Sequence, residues 1–144
     1  MVTYTPPSLD EIKDSFTFFD SWEERYQFII DLGRELPELH SDEKIDSNLI
    51  RGCQSQVWMI HSYNEETGGL QLELDSDAHI VKGLISIVLS AYSQKTPEEV
   101  LKFDIEDLFS DLDLLRHLSS TRGNGLRSMV ARIQSIAEKI VAGG

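Results

Sequence analysis

QVWMIHSYNEETGGLQLELDS, residues 56–76, is the stretch that decides the fold of this chain. Its first part, QVWMIHSY, is rich in aromatic and β-branched residues, which suit a pleated strand. Its last part, LQLELDS, alternates apolar and polar side chains with the period of a half-buried strand. Between them, NEETGG is polar and ends in paired glycines. The stretch therefore predicts an antiparallel β-hairpin.

Helical patterns precede the hairpin. Ser8, Ser21 and Thr96 are each followed three residues later by a glutamate. This is the spacing of a capping box, so it marks three helix starts, two of which lie before the hairpin. Both of those helices carry an apolar face, and Pro37 ends the second. The apolar positions are Leu9, Ile12, Phe16 and Phe19 in the first helix, and Trp22, Tyr26, Ile29, Gly33 and Leu36 in the second.

The chain after the hairpin is also predicted to be helical. A helix that Asp77 can cap is apolar on most of its surface up to Tyr92, so it is the expected centre of the core. Shorter helical pieces are expected over 97–102 and 104–118. The glycine-containing segment TRGNG, residues 121–125, is interpreted as a turn that leads into a final helix.

Helices on both sides of one hairpin predict an α+β fold, in which a small antiparallel sheet packs against several helices. The length of 144 residues is enough for one hydrophobic core, so a single domain over 1–144 is expected. The polar segment 38–47 lacks periodicity and is interpreted as a surface loop leading to the hairpin.

The chain is strongly acidic, with 13 Lys and Arg against 25 Asp and Glu and a formal net charge of −12. This balance opposes binding to nucleic acid and to anionic membrane surfaces. The first residues do not resemble a secretory signal, and the apolar stretch 80–92 is interrupted by Lys82 and Gly83, so no membrane span is expected. These observations predict a cytoplasmic protein without nucleic-acid or membrane partners.

Cys53 is the only cysteine, and it lies just before the first predicted strand. The simplest interpretation of such a residue is that its thiol is buried and inert and packs as a small apolar side chain. However, Arg51 and Gln54 are polar and Gly52 is conformationally free, which favours a loop where another molecule can reach the thiol. Because the thiolate is the reactive form, nearby cations matter; Arg51 is the local one, and Arg122 could approach through the fold.

Other chemistries have less support in the residues. A cysteine hydrolase needs a histidine base held by a third group, but none of the four histidines, His40, His61, His79 and His117, lies in a recognisable signature. One cysteine without metal-ligand spacing predicts neither a metal site nor an iron–sulfur cluster, so no cofactor is expected. Asp75 and Asp77 could form a catalytic pair, but we interpret Asp77 as a helix cap and Asp75 as a solvated strand end.

Four segments, in this order, resemble the SufE family of sulfur acceptor proteins, which includes the closely similar CsdE branch. They are LGRELPEL (32–39), GCQSQVW (52–58), DSDAHIVKGLISIVLSAYSQKTPEEVLKFD (75–104) and HLSSTRGNGL (117–126). The resemblance implies a fold shared with IscU-type cluster scaffolds and an acceptor cysteine, Cys53, at the tip of a loop. It also implies that Cys53 takes sulfane sulfur, as a persulfide, from a pyridoxal-phosphate-dependent cysteine desulfurase of the SufS or CsdA type.

The resemblance further implies that the chain is not itself an enzyme. It would stimulate the desulfurase and pass the sulfur on toward iron–sulfur cluster assembly, as a monomer or homodimer. Asp77 matches a family residue that influences movement of the cysteine loop, and Arg122 matches an arginine whose charge would favour the thiolate. From the residues alone, two alternatives stay open: an independent thiol-dependent enzyme, or a binding module in which Cys53 is incidental.

Overall fold

A two-stranded antiparallel hairpin forms the sheet in the computed structural model, which describes residues 5–53 and 55–143. Strand β1 (Val57–Asn64) pairs with strand β2 (Gly69–Ser76), with Val57 opposite Ser76 and Asn64 opposite Gly69. The predicted hairpin is therefore confirmed. Beside β1, Leu49 forms an isolated antiparallel bridge to Trp58, which brings the preceding loop against the free edge of the strand.

Helices account for most of the remaining described chain, so the α+β prediction is also confirmed. Ser8 and Ser21 accept hydrogen bonds from the third amide of their helices, and Thr96 with Glu99 completes a reciprocal capping box. The three predicted starts are thus correct. The helices are α1 (Leu9–Phe18), α2 (Trp22–Arg34), α3 (His79–Tyr92), α4 (Pro97–Lys102), α5 (Ile105–Leu112), α6 (Leu114–His117) and α7 (Ser120–Gly143).

Helix α3 is the centre of the core, as predicted, and is buried along nearly its whole length. It packs against α2 and β2, and it also contacts α1 and α7. Its crossing with α2 is close because glycines face each other there: a Cβ built on Gly33 would lie 2.7 Å from the amide nitrogen of Gly83. In the described part of the chain, no helix is both long and apolar enough to cross a membrane.

Two expectations about the helices after residue 100 are wrong. The segment 104–118 is broken by Asp113, which adopts a left-handed conformation with φ of 54° and separates α5 from α6. The segment 121–125 is not a turn, because α7 already begins at Ser120. The hydroxyl of Ser119 accepts from the amide of Arg122, so this serine caps the start of α7 and the glycines lie inside the helix.

Asp75 is not a solvated strand end, because its side chain is fully buried. Its carboxylate accepts hydrogen bonds from the amides of Leu39 (3.0 Å) and Ser76 (2.8 Å). The ammonium groups of Lys44 and Lys82 lie 3.3 and 3.6 Å from its oxygens. These four partners compensate the cost of removing the charge from water. They also attach the segment after α2 to the end of β2.

Candidate functional site

Cys53 lies on a short loop whose two ends are held together. The amide of Ile50 donates a 2.8 Å hydrogen bond to the carbonyl of Val57, which closes the neck of the loop. Gly52 has a φ of +94°, a conformation that side chains other than glycine rarely adopt. The predicted site residue Gln54 lies outside the described residues. The thiol therefore projects from a narrow loop with a glycine immediately before it.

The loop rests on the first half of α7. The thiol of Cys53 is half-buried and donates a 3.5 Å hydrogen bond to the carbonyl oxygen of Gly125. Gly52 approaches the same helix closely, since a Cβ at this position would collide with the hydroxyl of Ser128 and lie 3.3 Å from its Cβ. Helix α7 thus positions both the thiol and the glycine that precedes it.

A pocket of about 370 Å³ opens beside the thiol, between the loop, α3 and α7. Its inner wall is apolar and comes from strand and helix residues that also belong to the core. Its rim is polar and comes from the loop and the start of α7. The lining residues are Val57, Val81, Leu84, Leu126 and Met129 on the apolar side, Ser55, Ser119, Thr121 and Arg122 on the polar side, and Cys53 with Gly125 between them.

Burial raises the pKa of the Cys53 thiol. Desolvation penalises the charged thiolate, so the resting thiol is protonated at neutral pH. Arg122 lines the same pocket, as the resemblance implied, and one guanidinium nitrogen donates a 3.2 Å hydrogen bond to the hydroxyl of Tyr26. That the Arg122 charge favours the thiolate stays a prediction.

Asp77 holds the end of the cysteine loop. It does not cap α3: the cap position is Ala78, and no side chain makes the capping hydrogen bond. Instead, the Asp77 carboxylate accepts from the amide of Gln56 (3.1 Å), and the Asp77 amide donates to the Gln56 carbonyl (3.3 Å). The hydroxyl of Ser76 donates to that same carbonyl at 2.7 Å. Gln56 is thereby fixed on both its backbone groups.

Ser76 was missed by the sequence reasoning, although a signal for it was present. Along β2 the residues Leu70, Leu72 and Leu74 face the core, and the period of two places Ser76 on the same face. A hydroxyl at a core-facing position needs a hydrogen-bond partner, and the carbonyl of Gln56 is that partner. The combination of an inward position and a polar side chain could have identified it.

The remaining candidate residues lie outside the pocket. Arg51 is exposed on the loop and does not line the cavity. Of the histidines in the described chain, none lines the cavity either; His117, for example, stacks on Trp22 with ring centroids 4.0 Å apart. Residues 5–53 and 55–143 contain no group of three His, Cys, Asp or Glu side chains placed to hold a metal ion. Of the predicted site residues that the structure describes, Cys53 and Arg122 are therefore the two that line the cavity.

Substituting Gly52 by alanine is expected to release the loop from α7. Rotation of the Ser128 hydroxyl can relieve one contact, but the Cβ stays close to that of Ser128 and φ stays strained at +94°. Strain of about 1–2 kcal/mol corresponds to roughly a tenfold rise in the population of the open loop. Alkylation of the folded variant by fluorescein maleimide, which is too large to enter the cavity and so reaches the thiol only when the loop opens, should therefore be about ten times faster than that of the wild type, as measured by mass spectrometry.

Gly68→Ala is the matched control for this variant. Gly68 also has a positive φ, +73°, but it lies in the hairpin turn, where a Cβ would meet only a Thr96 methyl at 3.7 Å. Its backbone strain should leave the alkylation rate of Cys53 unchanged. Equal rates for Gly52→Ala and the wild type would show that contact with α7 does not limit access to the thiol.

Comparisons with known proteins bear on the family and the fold. The model of the SufE family, described as an Fe-S metabolism associated domain, matches residues 10–137. Uncharacterized SufE-like proteins of Rhizobium meliloti and Rhizobium etli are each 47% identical over 133 residues, spanning 91% of this chain and 95% and 90% of theirs. The solution structure of a hypothetical protein from Thermus thermophilus covers 96% of this chain and 99% of its own, with a TM-score of 0.73 and 18% identity, which shows a shared fold. The chain therefore belongs to the SufE family and is associated with iron–sulfur metabolism.

Proposed function

We propose that this protein accepts sulfane sulfur on Cys53 from a pyridoxal-phosphate-dependent cysteine desulfurase, stimulates that enzyme, and delivers the sulfur for iron–sulfur cluster assembly. The observation that carries the proposal is the placement of a lone thiol on a glycine-hinged loop beside a cavity. Membership of a family associated with iron–sulfur metabolism supports it. The relatives named above are uncharacterized, so the donor and the recipient are both part of the proposal.

The transfer step needs no cofactor on this chain. The thiolate of Cys53 attacks the terminal sulfur of the donor's cysteine persulfide, and the sulfur–sulfur bond of the donor breaks. The donor cysteine leaves as a thiolate, while Cys53 keeps the sulfur as its own persulfide. The proton of Cys53 goes to solvent before the attack. Since the chain has no second cysteine, the persulfide cannot be lost to an internal disulfide.

The resting geometry keeps the unloaded thiol unreactive until the loop moves. Burial raises the pKa of the Cys53 thiol, so a closed loop presents the unreactive, protonated form. Movement of the loop out of the cavity would return the thiol to water and remove this penalty. The hydrogen bonds at Gln56 and the conformational freedom of Gly52 would confine the movement to the few residues between them.

Intact-protein mass spectrometry tests the proposal. The reduced protein is incubated with a cysteine desulfurase from the same organism and free cysteine, in parallel with Cys53→Ser. The expected result is a mass gain of one sulfur that a reductant removes and that Cys53→Ser lacks, together with faster cysteine turnover only in the presence of wild-type protein. Acceleration of the desulfurase by Cys53→Ser under multiple turnover would contradict the carrier function.

The same materials separate the two alternatives. An independent thiol-dependent enzyme would turn over thioester or disulfide substrates without any partner. A binding module with an incidental cysteine would bind its partner equally well as Cys53→Ala, and it would gain no sulfur.

A further inference from the structure

The cavity beside Cys53 is much larger than a persulfide requires. One additional sulfur atom extends about 2 Å beyond Sγ, whereas the cavity of about 370 Å³ falls in the size range of small-molecule sites. Its inner wall is apolar, and its rim carries the hydroxyls of Ser119 and Thr121 and the guanidinium of Arg122. A cavity with an apolar wall and a few polar groups at one edge can hold a small amphipathic molecule.

Arg122 is the cation of this rim, and no acidic side chain in the described part of the chain neutralises it. In a chain with 25 Asp and Glu, the described carboxylates all lie beyond ion-pair distance of its nitrogens. Its partner is instead the neutral hydroxyl of Tyr26, which fixes one nitrogen from α2 and leaves the other N–H groups of the guanidinium for a ligand. By contrast, Arg127, five residues further along α7, pairs with Glu106 at 3.1 Å.

We propose that the cavity is a subsite for a small thiol bearing a carboxylate, which takes sulfur from Cys53. The carboxylate would pair with Arg122 at the rim, and the aliphatic part would lie on the apolar wall. The ligand thiolate attacks the terminal sulfur of the Cys53 persulfide; the bond between Sγ and that sulfur breaks, and Cys53 leaves as a thiolate. The ligand departs as a small persulfide, so atoms and electrons balance without an oxidant or a reductant.

Selective alkylation tests the subsite without any sulfur on Cys53. Iodoacetate and iodoacetamide differ in charge but modify the same thiol. Both rates are proportional to the fraction of thiolate, so the ratio of the two rates does not depend on it. With the urea-unfolded protein as reference, the native ratio of iodoacetate to iodoacetamide should rise about fivefold, the limit for one partly exposed ion pair. The overall charge of −12 acts in the opposite direction, so a rise requires a local cation.

Two arginine variants locate that cation. Arg122→Gln should lose the preference for iodoacetate, whereas Arg127→Gln, whose native arginine is paired and lies outside the cavity lining, should keep it. A native ratio equal to the unfolded ratio, or the same ratio in wild type and Arg122→Gln, would overturn the subsite.

The acceptor step has its own measurement, and only this step rests on the proposed function. Cys53 is loaded with sulfur from polysulfide, so that no desulfurase is needed, and loss of the sulfur is followed by mass spectrometry. The ratio of the transfer rate to 3-mercaptopropionate over the transfer rate to 2-mercaptoethanol should be about five times higher in the native than in the unfolded protein. In Arg122→Gln the native and unfolded ratios should be equal. If the two thiols accept sulfur at the same rate although alkylation is selective for iodoacetate, the acceptor step is wrong and the subsite stands. Failure of Cys53 to accept sulfur from a desulfurase would contradict the proposed function and leave the alkylation result standing.

Discussion

Substituting Gly83 by alanine is expected to destabilise the protein by about 3 kcal/mol, because α2 and α3 meet at this residue through their backbones. A Cβ on Gly83 would collide with the carbonyl oxygen of Ile29 and lie 2.5 Å from Cγ2 of the same residue. Since the oxygen belongs to the backbone of α2, rotation of a side chain cannot relieve the contact. The helices would have to separate, and fully buried side chains such as Ile29 and Ile87 would lose packing.

Gly123→Ala is the control for Gly83→Ala, because both residues lie within helices. A Cβ on Gly123 would meet a methyl of Leu115 at 3.6 Å, which is ordinary contact. Alanine favours helix over glycine by about 1 kcal/mol, so Gly123→Ala should be neutral or stabilising by up to that amount. Urea unfolding monitored by circular dichroism measures both free energies. Equal midpoints for the two variants would show that the helix crossing accommodates a side chain.

Asp75→Ala should cost about 3 to 5 kcal/mol, the range for removing one member of a buried ion pair. The substitution leaves the ammonium of Lys82 without its buried partner, and it removes the acceptor for the amide of Leu39. It also frees Lys44, whose ammonium otherwise lies between Asp75 and the ring of Trp58. The free energy of unfolding from urea titration measures the loss. Asp75→Asn keeps the shape and one acceptor oxygen, so its cost should be intermediate.

Asp111→Ala provides the comparison with an exposed pair. Asp111 lies 3.5 Å from Lys13, but the two side chains are 49% and 43% exposed. Such pairs contribute less than about 1 kcal/mol, so this variant should unfold nearly as the wild type does. A loss below about 1 kcal/mol for Asp75→Ala would mean that the buried cluster positions the loop after α2 without stabilising the fold.

The elements that the sequence predicts correctly depend on neighbours in the chain. The hairpin follows from alternation and paired glycines, and the helix starts at Ser8, Ser21 and Thr96 follow from residues three positions apart. The break at Asp113 was missed because an aspartate in the left-handed conformation carries no glycine signal. The burial of Asp75 was missed because its lysine partners lie 31 and 7 residues away and only the fold brings them together.

The candidate site, too, was predictable only in part from the sequence. A loop thiol beside a hinge glycine was predictable from Gly52 and Cys53. The partner of Asp77 was also within reach, since a hairpin register with Val57 opposite Ser76 places Gln56 opposite Asp77. The cavity was not predictable, because its walls come from α3 and α7, whose apolar residues have the spacing of ordinary core positions. The effect of burial on the thiol pKa depends on that enclosure and was therefore missed with it.

Because Cys53 is the only cysteine and is half-buried, the rate of its modification reports how the loop opens and closes. Modification of Cys53 by a reagent too large for the cavity follows the logic of amide hydrogen exchange: the loop opens, and it either recloses or its thiol is modified. With dilute reagent, capture is slow and the observed rate reports the equilibrium between open and closed loop. With concentrated reagent, every opening is captured and the rate levels off at the opening rate constant. One concentration series therefore separates how often the loop opens from how long it stays open, without an introduced label.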